Sequence, residues 1–106
     1  MESVLEARRA GSGVVKHTPV TESAALSELC GGQVVLKAEN LQRTGSFKIR
    51  GAMNKVASLG DAATSGVVAG SAGNHAQSLA FAARHRGVPC RIFVPAGASL
   101  SKMEAV

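Results

Sequence analysis

The chain has 106 residues, which is enough for one small domain and too few for two. Hydrophobic residues make up 45% of it, a globular composition, and no apolar run reaches the roughly 18–20 residues that a membrane-spanning helix needs. The net charge is +5, but the basic residues are scattered and aromatic residues make up only 3%, so we predict no nucleic-acid and no membrane partner. Cys30 and Cys90 lie far apart and form no CxxC, which predicts neither a disulfide scaffold nor a metal site, and a reducing, cytoplasmic location. Their apolar neighbours predict two buried thiols.

The first half of the chain predicts two helices and one strand. After a polar helical lead over residues 1–13, the stretch 17–20 is extended, because Pro19 disfavours helical geometry at Thr18. Thr21 is the expected N-cap of a helix that runs from Glu22 to about Leu29. The β-branched run at residues 34–38 predicts a strand, and Ser46 is the expected cap of a helix that reaches about Leu59. Its apolar positions follow helical spacing: Ile49, Ala52, Met53, Val56 and Leu59.

The second half continues the alternation. Residues 66–70 predict a buried strand, 71–74 a tight loop, 75–86 a helix and 90–95 a third strand, and a further helix opens at residue 99. The inward positions of the 75–86 helix are predicted to be Leu79, Ala80 and Ala83. A glycine is expected to end each of the three main helices, at Gly31, Gly60 and Gly87. This order predicts an α/β fold, an open parallel sheet with flanking helices.

A lysine occupies the first turn of the 46–59 helix, within the run TGSFKIRG at residues 44–51. A helix N-terminus carries free N–H groups and partial positive charge, which disfavours a protonated ammonium. Lys48 could therefore act as an amine nucleophile that forms a Schiff base. The alternative is an ordinary lysine that faces solvent near a helix cap.

A second polar loop follows the next predicted strand. Ser71, Asn74 and His75 bring a hydroxyl, an amide and a titratable ring to the start of a helix, whose N-terminus suits an anion. The alternative is that Ser71 and Asn74 only cap that helix. If the two loops lie at the carboxyl ends of neighbouring parallel strands, they can form one ligand site for an amino-acid or phosphate-bearing substrate.

Two segments of the chain carry a resemblance to one enzyme family. Residues 36–52 (LKAENLQRTGSFKIRGA) and 71–77 (SAGNHAQ) resemble the lysine motif and the carboxylate loop of threonine ammonia-lyases, within the fold-type II pyridoxal-phosphate enzymes. Residues 17–20, and residues 94–95 with Lys102, are also similar to that family.

The resemblance implies a role for each matching residue. Lys48 would hold pyridoxal 5'-phosphate as a Schiff base and move the Cα proton, Phe47 would pack against the cofactor ring, and Asn74 would hydrogen-bond the ring oxygen. The substrate carboxylate would be bound by Ser71, Ala72, Gly73, Asn74 and His75.

The resemblance also implies a reaction and a domain organisation. The complete enzyme would deaminate L-threonine, and also L-serine, and would form homo-oligomers. The family's phosphate-binding loop lies later in the chain, so we expect residues 1–106 to be the N-terminal portion of the catalytic domain and inactive alone. Serine racemase is the nearest alternative within the family, although Ala72 and Ala76 favour the lyase. A non-catalytic, truncated anion-binding domain is the other alternative.

Overall fold

The computed structural model describes residues 2–97, and within this range helices alternate with short strands. The α-helices are Glu2–Ala10 (α1), Ala24–Cys30 (α2), Lys48–Ser58 (α3) and Asn74–Arg86 (α4). The strands are Val20–Glu22 (β1), Val35–Lys37 (β2), Val67–Gly70 (β3) and Cys90–Phe93 (β4). Short 3-10 segments cover Glu39–Leu41 and Gly60–Ser65. The predicted helix from residue 99, with Lys102, lies outside the described residues.

The core lies between α3 and α4, which pack against each other more extensively than any other pair of described elements. Ile49 and Met53 of α3 are at most 1% exposed, because apolar residues recur at helical spacing on one face of this helix. The predicted α3 set is confirmed as buried, with Leu59 partly buried against it. On α4, Leu79 and Ala83 are buried as predicted but Ala80 is only half-buried. The other buried residues of α4 are small: Ala76, Ser78 and Ala82.

Two separate strand pairs form the sheets of the described chain. β3 and β4 pair in parallel, from Val67 opposite Cys90 to Gly70 opposite Phe93, with α4 as the crossover, so the predicted α/β class is confirmed. β1 and β2 pair antiparallel, with Thr21 opposite Leu36. The expectation that the 34–38 strand joins the parallel sheet is therefore wrong. The reason is that Thr21 and Glu22, predicted to cap and begin a helix, continue the extended chain from Val20 and form a strand that pairs with β2.

The helix caps differ from the sequence prediction at one end of α2. Ser23, not Thr21, is the N-cap: its backbone is extended and its Oγ accepts a hydrogen bond from the Leu26 N–H. The other end follows the prediction, because Gly31 adopts a left-handed φ of +66°. Gly87 ends α4 in the same way, also at +66°. Gly60 opens the 3-10 segment, and α3 ends before it at Ser58.

Several residues expected inside are exposed. Cys30 and Cys90 are both exposed, since α2 has no buried residue and the described elements leave Cys90 of β4 uncovered. In β3, Val67 is buried against the helices, but Val68 on the opposite face is 66% exposed. The prediction of a fully buried strand is therefore wrong for the described chain. None of its described helices is long and apolar enough to cross a membrane.

Candidate active site

Lys48 is the first residue of α3, as the sequence predicts. The helix N-cap is Phe47, which makes no side-chain cap bond, and Ser46 is a buried residue whose Oγ lies 3.4 Å from the Lys48 N–H. Ser46 is therefore not the cap that the sequence predicts, although it contacts the first turn. The Lys48 ammonium lies 5.0 Å from the centre of the Phe47 ring, a cation–π distance. Both side chains are exposed, so the amine is open to a ligand.

The loop at residues 71–74 connects β3 to α4. The Ser71 N–H donates to the Phe93 carbonyl of β4 at 3.0 Å, and Ser71 Oγ accepts from the Gly73 N–H at 3.3 Å. Gly73 is the N-cap of α4, and no side chain caps this helix. The alternative in which Ser71 and Asn74 serve as helix caps is therefore wrong. Asn74 and His75 are exposed residues of the first turn, which leaves the amide of Asn74 available for another partner.

A cavity of about 650 Å³ lies beside the start of α3. Phe47, Lys48 and His75 line it together, so the lysine turn and the end of the 71–75 loop meet at one space. It continues along α3 to Leu59, and its other walls are largely aliphatic, with the cationic side chains of Arg50 and Lys55 among them. Residues 71–74, in contrast, do not line this cavity. A pocket of this size with apolar walls and a few polar groups is typical of a small-molecule site.

Glu39 is the centre of a charged network at the start of α3, and no periodic pattern in the sequence predicts this network. Arg50 binds its carboxylate with two parallel hydrogen bonds, each 2.8 Å long, from Nε and Nη2. The Thr18 hydroxyl donates to Oε1, and Lys37 Nζ lies 3.9 Å from the same oxygen. The hydrogen bonds from Arg50, supported by Thr18 and Lys37 and opposed by partial burial, lower the pKa of Glu39 from 4.5 to about 2. Because Arg50 lies two residues after Lys48, this network fixes the first turn of α3.

The lowered pKa of Glu39 predicts a pH dependence of stability. The folded state holds the Glu39 proton less readily than the unfolded state, so the stabilisation is complete above pH 4.5 and is lost as the pH falls toward 2. We expect Glu39→Gln to lower the free energy of unfolding of the chain by about 2 kcal/mol at neutral pH, after allowance for solvent around Arg50. Urea unfolding at neutral pH and at about pH 3 would check this, and an equal deficit at both pH values would contradict it.

Residues 12–106 match the sequence profile of the family described as pyridoxal-phosphate dependent enzyme. An L-threonine ammonia-lyase of Thermotoga maritima is 52% identical over 104 residues, which cover 97% of this chain and 26% of that protein. A catabolic L-threonine dehydratase of Escherichia coli K12 is 45% identical over 106 residues, which cover 99% of this chain and 32% of its own length. The chain thus spans about a quarter to a third of the length of these relatives.

Relatives with other names match at comparable identity. A beta-hydroxyaspartate dehydratase of Paracoccus denitrificans is 42% identical over 99% of this chain and 34% of its own length. The structure of maize serine racemase superposes with a TM-score of 0.87 at 40% identity, over 99% of this chain and 32% of that protein. The profile match covers most of the chain, and within it Lys48 is the first residue of α3 and lines the cavity. The chain therefore belongs to the family of pyridoxal-phosphate dependent enzymes, in the α/β fold of the fold-type II class.

Proposed function

We propose that the complete protein containing this chain is a pyridoxal-phosphate-dependent ammonia-lyase that converts L-threonine, and also L-serine, into a 2-oxo acid and ammonia. The observation that carries the proposal is the position of Lys48. Its exposed side chain lies at the first residue of α3, next to Phe47, and lines the same cavity as His75. The relatives named as threonine ammonia-lyase and threonine dehydratase support this substrate class. Self-association of the complete enzyme is part of the same proposal.

The cavity residues suit the cofactor of the family. Pyridoxal phosphate is a flat aromatic aldehyde, which needs a primary amine for attachment and apolar or aromatic surface for its ring. Lys48 offers the amine, Phe47 the aromatic surface, and Val56 and Leu79 aliphatic walls. We assign the phosphate group to residues of the longer protein, since the chain spans only part of the length of its relatives.

Each site residue has a defined task in this proposal. When bound, pyridoxal phosphate withdraws electrons from the Cα of an amino acid and so makes its proton acidic. Lys48 would hold the cofactor through its ε-amine until the amino group of the substrate takes its place. The freed amine would then accept the Cα proton, and the β-hydroxyl would take up a proton and leave as water. Phe47 would pack against the cofactor ring, and the Asn74 amide would donate to the ring oxygen. The loop at residues 71–75 would bind the substrate carboxylate at the positive end of α4. The N–H groups for this are those other than Ser71 and Gly73, because these two already donate to the Phe93 carbonyl and to Ser71 Oγ.

A racemase is the second candidate, because a serine racemase structure superposes closely on this chain. The two activities begin with the same removal of the Cα proton, and they differ in the next step. A lyase expels the β-hydroxyl, whereas a racemase returns a proton to the opposite face of Cα. Within the described residues, Lys48 would perform the shared step. The next step, in which the two activities differ, would take place on the face of Cα opposite Lys48.

Product analysis of the complete, cofactor-loaded protein tests the proposed function. L-threonine, L-serine and L-threo-3-hydroxyaspartate would be offered separately, and 2-oxo acid, ammonia and the enantiomers of the remaining amino acid would be measured. We expect equal amounts of 2-oxo acid and ammonia, with L-threonine as the preferred substrate. Formation of D-serine without 2-oxo acid would refute the proposed lyase activity in favour of a racemase. A preference for L-threo-3-hydroxyaspartate would refute L-threonine as the substrate.

A further inference from the structure

The turn that precedes Lys48 is held on two sides. On one side Gln42, which is only 3% exposed, accepts from the Lys16 N–H and donates to the Lys16 carbonyl, both at 2.9 Å. On the other side Thr44 Oγ1 lies 2.9 Å from Ser78 Oγ of α4. Within residues 2–97 this is the only side-chain hydrogen bond that connects residues 42–48 with α4.

Each of the two hydroxyls lies four residues in sequence from a residue of the proposed active site. Thr44 lies four residues before Lys48, and Ser78 lies four residues, about one helical turn, after Asn74. Ser78 is completely buried, so its hydroxyl is removed from water and depends on protein partners. The bond therefore joins the chain segment that carries the lysine to the helix that carries the 71–75 loop.

We propose that Thr44 and Ser78 form a positioning pair that sets Lys48 against residues 71–75; this rests on the proposed function of both segments. A buried hydrogen bond between two short side chains allows little sliding of the turn along α4. Proton transfer needs the amine within about 3 Å of the reacting carbon's proton, so a displacement of about 1 Å affects the rate more than the binding of substrate. Neither Thr44 nor Ser78 lines the cavity at Lys48, so the pair would act through Lys48.

Three single substitutions and one double substitution in the complete protein test the pair. Thr44→Val and Ser78→Ala remove one hydroxyl each with little change of volume, whereas Thr44→Ser keeps the hydroxyl as the matched control. A helical serine can turn its hydroxyl to the carbonyl four residues before it, so Ser78 keeps a partner in Thr44→Val. We expect kcat for L-threonine to fall roughly 3- to 10-fold in both variants, with KM nearly unchanged. The double variant should be no slower than either single one, and Thr44→Ser should keep the original kcat.

Amide hydrogen exchange of the cofactor-free protein gives a second readout that does not depend on activity. We expect the amides of residues 44–48 to exchange faster in Thr44→Val and Ser78→Ala than in the original protein or Thr44→Ser. Unchanged kcat in both hydroxyl-free variants would overturn the positioning role, and a Thr44→Ser variant as slow as Thr44→Val would assign the effect to the methyl group. If the original protein releases no ammonia, the proposed function fails, and faster exchange would still show that the pair holds the turn.

Discussion

Replacing Lys48 by alanine in the complete protein is expected to abolish covalent attachment of pyridoxal phosphate and to lower ammonia release by roughly 1,000-fold or more. The reason is that an alanine at the start of α3 offers neither the amine that holds the cofactor nor the base that takes the Cα proton. Visible absorbance of the protein-bound cofactor would report attachment. Borohydride reduction followed by peptide mass spectrometry would show whether the added mass lies on residue 48.

The matched control for this substitution is Lys16→Ala. Lys16 is a second lysine outside the core, its ammonium donates to the Leu41 carbonyl at 3.3 Å, and it does not line the Lys48 cavity. In the absence of cofactor, both variants should keep the original melting temperature, since neither side chain lies in the core. Cofactor that remains covalently bound to Lys48→Ala would refute the assignment. An original protein that never attaches the cofactor would favour the non-catalytic, anion-binding alternative.

Asn74→Ala and Gly73→Ala are expected to lower kcat/KM for L-threonine by roughly 10- to 100-fold each, the range of a lost hydrogen bond to a charged group. Asn74 would lose its bond to the cofactor ring oxygen, and a methyl group at residue 73 would separate the carboxylate from the N–H groups of α4. Steady-state kinetics and thermal melting of the complete protein would measure both effects. The melting temperature should stay unchanged, because Asn74 does not cap α4 and a Cβ at Gly73 would meet open space.

Two substitutions away from the site serve as controls. An added Cβ at Gly32 would also meet open space, and the φ of Gly32 lies outside the left-handed region. Gly32→Ala therefore matches Gly73→Ala in its expected effect on the local backbone. Asn40→Ala matches the loss of an exposed amide. We expect both controls to keep the original kcat/KM. A lowered melting temperature with unchanged kcat/KM in Asn74→Ala would show that this residue serves the fold and not the reaction.

The sequence predicts those features of the fold that local physics determines. The buried face of α3 follows from apolar residues at helical spacing, and the ends of α2 and α4 follow from glycines that adopt positive φ at little cost. Lys48 lies in the first turn of α3 as predicted, although the predicted Ser46 cap is wrong. The cap at Thr21 fails because Thr21 pairs with Leu36 across a strand, a contact that no local pattern contains.

The features that the sequence does not predict depend on distant residues. Glu39 and Arg50 are 11 positions apart, and Thr44 and Ser78 are 34 apart. The partners of neither pair share a helix or strand, so the periodicity of a single element does not relate them. One signal was nevertheless available, because Glu39, Thr44 and Arg50 all lie within the 36–52 segment that carries the lysine motif. The roles of residues 71–75 stay predictions, since the described cavity includes His75 but not residues 71–74.

The contact between α3 and α4 restricts how this chain can change during evolution. The residues that α4 buries are largely small, and Ala76, Ser78, Ala82 and Ala83 are all completely buried. A larger side chain at one of these positions would need space elsewhere in the core, part of which Ile49 and Met53 of α3 occupy. Substitutions on the two helices should therefore arise as compensating pairs. Because Lys48 is the first residue of α3, a substitution that shifts α3 against α4 would also shift the lysine.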